Sequence, residues 1–174
     1  MKKISSIKDY STWVDSVWFS KMPGSETNND ISVMTLGLVG EVAEVIEECI
    51  NFRISNIDLK KEIGDVLYYI TRICNFFELN APEIFNSGIK NSFLINENGK
   101  NNTLLHISKN AGLAADCIKK FLRDDNLNKN LLKEKIINVI AYLFFLIEFY
   151  DFDFFDIVNT NIEKIENRKK ISKY

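Results

Sequence analysis

The sequence predicts an all-α protein, and three observations carry that reading. Among 174 residues only 7 are Gly and 2 are Pro, so the chain is poor in the residues that make tight turns. Its apolar residues recur at i, i+3 and i+4, the period of a helix with one buried face. No segment alternates apolar and polar residues as a half-buried strand does. With 46% hydrophobic and 12% aromatic residues, the chain is long and apolar enough to bury a real core.

The elements follow in order. Ile7, Tyr10, Val14, Val17 and Trp18 form an apolar stripe on a first helix from about Ile7 to Met22, which Met22-Pro23-Gly24-Ser25 ends. A polar loop through Asn29 precedes a second helix, capped by Asp30 or Ser32 and reaching about Arg53. Asp58 is the expected cap of a third helix ending near Phe77. Asn80 with Ala81-Pro82 starts a fourth, Pro falling in the first turn. Residues 96–102, Asn96 to Asn102, read as a linker. Beyond it lie helical patterns from Thr103 to Arg123, Leu131 to Tyr150 and Phe154 to Lys170, with Asp153 as cap of the last.

Charge and composition exclude several functions. A net charge of −2 leaves no electrostatic footprint for a nucleic-acid polymer. The N-terminus lacks the apolar core of a signal peptide. The longest apolar run, Val139 to Ile147, is too short to span a bilayer; a soluble, cytoplasmic protein without a membrane partner is expected. Cys49, Cys74 and Cys117 are isolated from one another in helical patterns and read as buried free thiols. His106 is the only histidine, which excludes a His-based metal cluster and a ferritin-like di-iron site.

The chemistry concentrates between Gly37 and Ile70. Glu41 and Glu44 form one i, i+3 acidic pair, and Glu62 and Asp65 form another, each on one helix face. Asn51 and Ser55-Asn56 allow the chain to reverse between them. Antiparallel packing then brings four carboxylates to one place, among Val42, Ala43, Val45, Ile46, Ile63, Val66 and Leu67. A single acidic pair of this kind is usually a solvated face, but carboxylates inside core-forming stretches need a counter-charge. An all-oxygen set without Cys or His points to Mg²⁺, with Mn²⁺ also possible.

The pattern E-x-x-E, a gap of 17 residues, then E-x-x-D within E-I-G-D-V-L-Y-Y resembles the MazG-like nucleotide pyrophosphohydrolases. That all-α superfamily also includes the dimeric dUTPases. Glu41, Glu44, Glu62 and Asp65 fall on its metal-binding positions, and Gly37 to Gly40 and Val66 to Tyr69 fit its flanks. Many members carry a further Glu where Gly40 stands here; Glu47 and Glu48 lie nearby. The resemblance implies Mg²⁺-dependent cleavage of a nucleoside triphosphate between the α and β phosphates, giving a monophosphate and pyrophosphate. The four acids serve as metal ligands and catalytic carboxylates; one of them, or Glu47 or Glu48, is left to orient water. The rival reading is a catalytically inactive helical binding or regulatory protein of the same fold. Trp13, Trp18 and Phe19 are candidates for a base-stacking wall, with core packing the plainer alternative.

The chain also matches itself. Shifted by 73 positions, LKKEIGDVLYYI from Leu59 lies over LKEKIINVIAYL from Leu132. Leu59, Lys60, Ile63, Val66 and Tyr69 pair with Leu132, Lys133, Ile136, Val139 and Tyr142, and the caps Asn80 and Asp153 coincide. Upstream, GEVAEVIEE lies over KNAGLAADC if the second half has a loop about four residues longer. A degenerate tandem repeat follows, with residues 1–95 as an intact half and 103–174 as a decayed one. The counterparts of Glu41, Glu44, Glu62 and Asp65 are Asn110, Leu113, Lys135 and Asn138, which cannot hold a cation. Two such halves are expected to pack as a pseudo-dimer within one chain, favouring a monomer.

The last helix carries Asn161, Lys164 and Arg168 on one face. This stripe resembles the N-x-x-K…R stretch closing many MazG-like domains, where such residues face substrate phosphates. The first half has Gly88, Asn91 and Ile95 at these places. One composite site is expected, with acids from the first half and bases from the second.

Overall fold

The computed structural model describes residues 3–17, 27–51, 55–95 and 99–171. They form seven helices: α1 (Ile7–Ser16), α2 (Asn28–Ile50), α3 (Asn56–Phe76), α4 (Ala81–Ser92), α5 (Lys100–Asp124), α6 (Lys129–Phe149) and α7 (Phe154–Ile171). No strand occurs among the described residues, and none of their helices is long and apolar enough to cross a membrane.

Local signals set most of these limits. Ser6, Ser55, Asn80 and Asn128 each accept from the third backbone N–H of the helix that they start. Two expected caps lie one turn further in. Thr27 caps α2, and Asp30 closes the capping box from the third helical position. Ser55 caps α3, and Asp58 sits in the first turn bonded to Lys61. In both cases a hydroxyl three residues upstream takes the cap, and the carboxylate favours the positive end of the helix. Asn29 is therefore helical, as are residues 100–102 at the start of α5. The expected end of the first helix at Met22, and both Trp18 and Phe19, lie outside the described residues.

Helix packing follows a pattern. α2 runs antiparallel along α3, bringing Gly37 to Tyr69 and Glu41 to Asp65. α5 runs antiparallel along α6, bringing His106 to Tyr142 and Asn110 to Asn138. α7 packs on α3 and α4 packs on α6, while α2 and α5 pack on each other. α1 lies across α3 and α4. The core is continuous through all of this, with Leu38, Leu67, Ile70, Ile84, Ile107, Ile140, Leu143 and Ile162 fully buried. Cys49, Cys74 and Cys117 are free and buried within it.

Several contacts recur at the offset of 73. α3 and α6 end with a residue at positive φ, Glu78 at 54° and Asp151 at 53°. The next residue returns a bond to the closing turn, Leu79 N to Cys74 O and Phe152 N to Ile147 O. Asn80 and Asp153 cap the following helices through the N–H groups of Glu83 and Asp156. Lys60 pairs with Asp156 at 2.7 Å, and Lys133 with Glu83 at 2.5 Å. Gly64 lies under Asn161, and the carbonyl of Ile137 lies against Gly88.

Candidate metal centre

Glu41 on α2 and Glu62 and Asp65 on α3 form the centre, with one carboxylate oxygen of each lying within 4.8 Å of the others. Asp65 is buried, and Glu41 and Glu62 are half-buried. Two glycines permit this packing. A Cβ at Gly37 would lie 2.4 Å from the Tyr69 ring, so only Gly lets that ring lie across α2 beside Glu41. A Cβ at Gly64 would lie 2.9 Å from Asn161 Cβ, so Gly64 lets α7 settle directly on α3.

That approach delivers two groups to Asp65. Asn161 Nδ2 donates to Asp65 Oδ1, and the Lys164 ammonium donates to Asp65 Oδ2. Asn161 is fully buried, and its own Oδ1 has no partner. A small cavity of about 50 Å³ opens beside the acids, lined by Glu41, Asp65, Tyr68, Tyr69, Ile165 and Arg168. The buried Tyr68 hydroxyl also lacks a partner.

Electrostatic strain is concentrated at Glu41. Burial, then repulsion from Asp65, Glu44 and Glu62, raises its carboxyl from 4.5 to about 7, and Lys164 only partly offsets them. Glu62 is raised as well, chiefly by burial, with Lys164 opposing and Asp65, Glu44 and Glu48 adding. Proximity to Glu41 and Asp65 adds to the burial that raises Tyr69.

The structure thus gathers three of the four predicted acids. Glu44 is exposed and lies outside the group. One turn beyond Glu41 and about 60° round the helix, it points toward solvent, yet its charge reaches Glu41 and Glu62. Asn161, Lys164 and Arg168 all reach the site from α7. Trp13 stacks on Tyr10 at 6.1 Å, sets its edge to Tyr68 at 6.5 Å, and donates from Nε1 to Glu166 at 3.4 Å. It packs against the core beside the cavity. Sequence reasoning missed Tyr68 and Tyr69 as lining residues; their i+3 and i+4 spacing from Asp65 was the available signal. At the counterpart positions, Asn138 Nδ2 donates to Asn110 Oδ1 at 3.3 Å, an uncharged pair.

Comparison of the chain with protein-family models, with curated proteins and with solved structures finds no match.

Proposed function

We propose that the chain is a Mg²⁺-dependent nucleotide pyrophosphohydrolase of MazG-like type, built as a tandem repeat with one working centre. The observation that carries this reading is the convergence of Glu41, Glu62 and Asp65 from α2 and α3 with Asn161 and Lys164 from α7. The donor set fits a hard cation, being all carboxylate oxygen. The unpartnered Tyr68 hydroxyl, on a residue lining the cavity, is a polar atom suited to an ordered water or a ligand oxygen. Mn²⁺ would suit the same ligands.

Glu41, Glu62 and Asp65 would hold the cation, with Glu44 at the rim. When bound, the ion supplies Lewis acidity, neutralising phosphate charge and acidifying water. The protein's own groups do the rest. Glu41, raised to about 7 by burial and its acidic neighbours, would lose its proton to solvent as a cation takes its place near neutral pH. Asn161 fixes Asp65 in one orientation. Lys164 balances Asp65 while the site lacks a cation, and with Arg168 at the cavity it becomes available to phosphate oxygens once Asp65 is otherwise compensated. Trp13 and Tyr68 form the apolar wall next to this position.

The repeat reading draws support from the recurring contacts. Lys60–Asp156 and Lys133–Glu83 exchange places under the offset of 73, as do the α3·α7 and α4·α6 packings. Exchange of the third helix between halves is one packing open to an intramolecular pseudo-dimer.

The test is incubation of the purified protein with a panel of nucleoside triphosphates and Mg²⁺, resolving pyrophosphate from orthophosphate. Pyrophosphate and monophosphate in equal amounts, lost in Asp65→Asn, are expected. Orthophosphate as product, or full turnover by Asp65→Asn, refutes the proposal.

A further inference from the structure

We infer, on the reading of the centre as a divalent-cation site, that Lys164 is a built-in competitor for the cation. Its ammonium compensates the acids in the cation-free protein, so that a divalent cation and a phosphate-bearing anion bind together and each binds weakly alone.

The ammonium sits within the acids, not at their edge. Asp65 gives one oxygen to Asn161 Nδ2 and the other to Lys164 Nζ. The pair is enclosed, the Asp65 side chain being 10% exposed and that of Lys164 20%. The charge of Lys164 reaches Glu41 and Glu62 as well, and neither of these forms an ion pair of its own among the described residues. One ammonium thus serves as counter-charge to three carboxylates. A dication on Asp65 and the ammonium on the same carboxylate would stand a few ångströms apart with little water between them, where like charges repel strongly. The dication gains Asp65 by displacing the ammonium or by bearing that repulsion. Either way it binds more weakly than the three acids alone would hold it.

The displaced ammonium finds no acid waiting for it on α7. Glu163, its neighbour in sequence, is exposed on another face of the helix, and Glu166 accepts from Trp13 Nε1. One turn away at i+4 stands Arg168, which lines the cavity with Glu41 and Asp65 and forms no ion pair among the described residues. The freed ammonium and this guanidinium are like charges at i, i+4, an unfavourable pair in isolation. An anion with several oxygens, as a phosphate has, relieves it by accepting from both. Cation entry therefore prepares the anion site, and the anion holds Lys164 away from Asp65. Such linkage is reciprocal. At the offset of 73, Asn110, Lys135 and Asn138 replace Glu41, Glu62 and Asp65, and α4 carries Asn91 in the place of Lys164. The acids and the ammonium are present together and absent together.

Binding of Mn²⁺ to the full chain, read as loss of the free-ion electron paramagnetic resonance signal, tests this without turnover. It is measured with and without millimolar inorganic phosphate, subtracting the Mn²⁺ that phosphate itself holds. In the wild type, phosphate should tighten Mn²⁺ about tenfold, and Mn²⁺ should tighten phosphate by the same factor. In Lys164→Met, Mn²⁺ alone should bind about tenfold tighter than to wild type, and the effect of phosphate should shrink to about twofold or less. Lys164→Arg keeps the charge and should keep Mn²⁺ weak. Lys133→Met removes an equal charge, paired with Glu83 in the other half, and should bind Mn²⁺ as the wild type does. Met keeps the length of the lysine stem, and circular dichroism checks that helicity survives. Unchanged or weaker Mn²⁺ binding by folded Lys164→Met overturns the inference and leaves the metal centre standing. A wild type whose Mn²⁺ affinity ignores phosphate does the same and needs no variant. Absence of Mn²⁺ binding from every protein removes the metal centre itself, and the inference with it.

Discussion

Glu41 offers a prediction in which stability and function oppose each other. Its carboxyl is raised from 4.5 to about 7 by burial and three neighbouring acids. A raised carboxylate makes folding costly when ionised: the penalty is absent below about pH 4.5, grows as pH rises toward 7, and is complete above it. Taken at face value the displacement corresponds to about 3 kcal/mol. Because Glu41 keeps part of its surface in water, screening reduces this to about 1–2 kcal/mol. Glu41→Gln keeps the shape and removes the charge, so in cation-free buffer at pH 8 it should stabilise the protein by that amount. For a chain of 174 residues this raises Tm by roughly 2–8 °C. At pH 4.5 the difference should vanish. In the wild type, millimolar Mg²⁺ should recover the lost stability by binding only the folded state, and in Glu41→Gln that response should shrink. Calorimetric scans of both proteins, with and without Mg²⁺ at the two pH values, read every term. A variant no more stable than wild type at pH 8, or equally stabilised at pH 4.5, refutes the account of crowded carboxylates.

Two further outcomes follow from the approach of α7. Gly64→Ala places a methyl 2.9 Å from Asn161 Cβ, and neither packed helix can yield easily, so a loss of about 1–3 kcal/mol is expected from denaturant unfolding. Its turnover should fall more than that of Gly40→Ala, whose Cβ would meet nothing within 4 Å. Lys164→Met removes the cation on Asp65. The acids are then less compensated, so Glu41 should titrate higher still, as read by NMR, and substrate KM should rise about tenfold or more.

The helices were legible because their signals are local. The period of apolar residues, the Asn80-Ala81-Pro82 start and the Asp153 cap all act within a turn of themselves. The caps of α2 and α3 misled because Asp30 and Asp58 are good first-turn residues as well as good caps, and Thr27 and Ser55 outcompete them from three residues upstream. Three of the acids were legible as a group because i, i+3 spacing and a helix reversal fix their convergence. Glu44 was not separable from them, since a difference of 60° around a helix decides between cavity and solvent. Nor could spacing reveal that Lys164 would sit on Asp65. That contact depends on the missing side chain at Gly64, and the consequence of a missing side chain appears only once the partner helix is in place.

The absence of acids at the counterpart positions follows from the same balance. Asn138 and Asn110 occupy the places of Asp65 and Glu41 and bond to each other at 3.3 Å. The helix packed against α6 there is α4, which carries Asn91 where α7 carries Lys164. Without that ammonium, an acidic cluster in the second half would have no compensating charge in the cation-free protein. Reinstalling it with Asn110→Glu, Lys135→Glu and Asn138→Asp should therefore cost more than Glu41 does in the first half, about 2–4 kcal/mol at pH 8. Much of that cost should disappear at pH 4.5, where the new carboxyls take up protons on folding. Adding Asn91→Lys to the triple variant should restore about 1 kcal/mol or more at pH 8, because α4 packs on α6 as α7 packs on α3, and Asn91 falls on Lys164 at the offset of 73. Urea unfolding of the three proteins at both pH values measures each step. If Asn91→Lys restores nothing, the correspondence at the offset of 73 fails at this site; if the triple variant is as stable as wild type at pH 8, carboxylates at these three positions are not crowded and the reasoning is refuted.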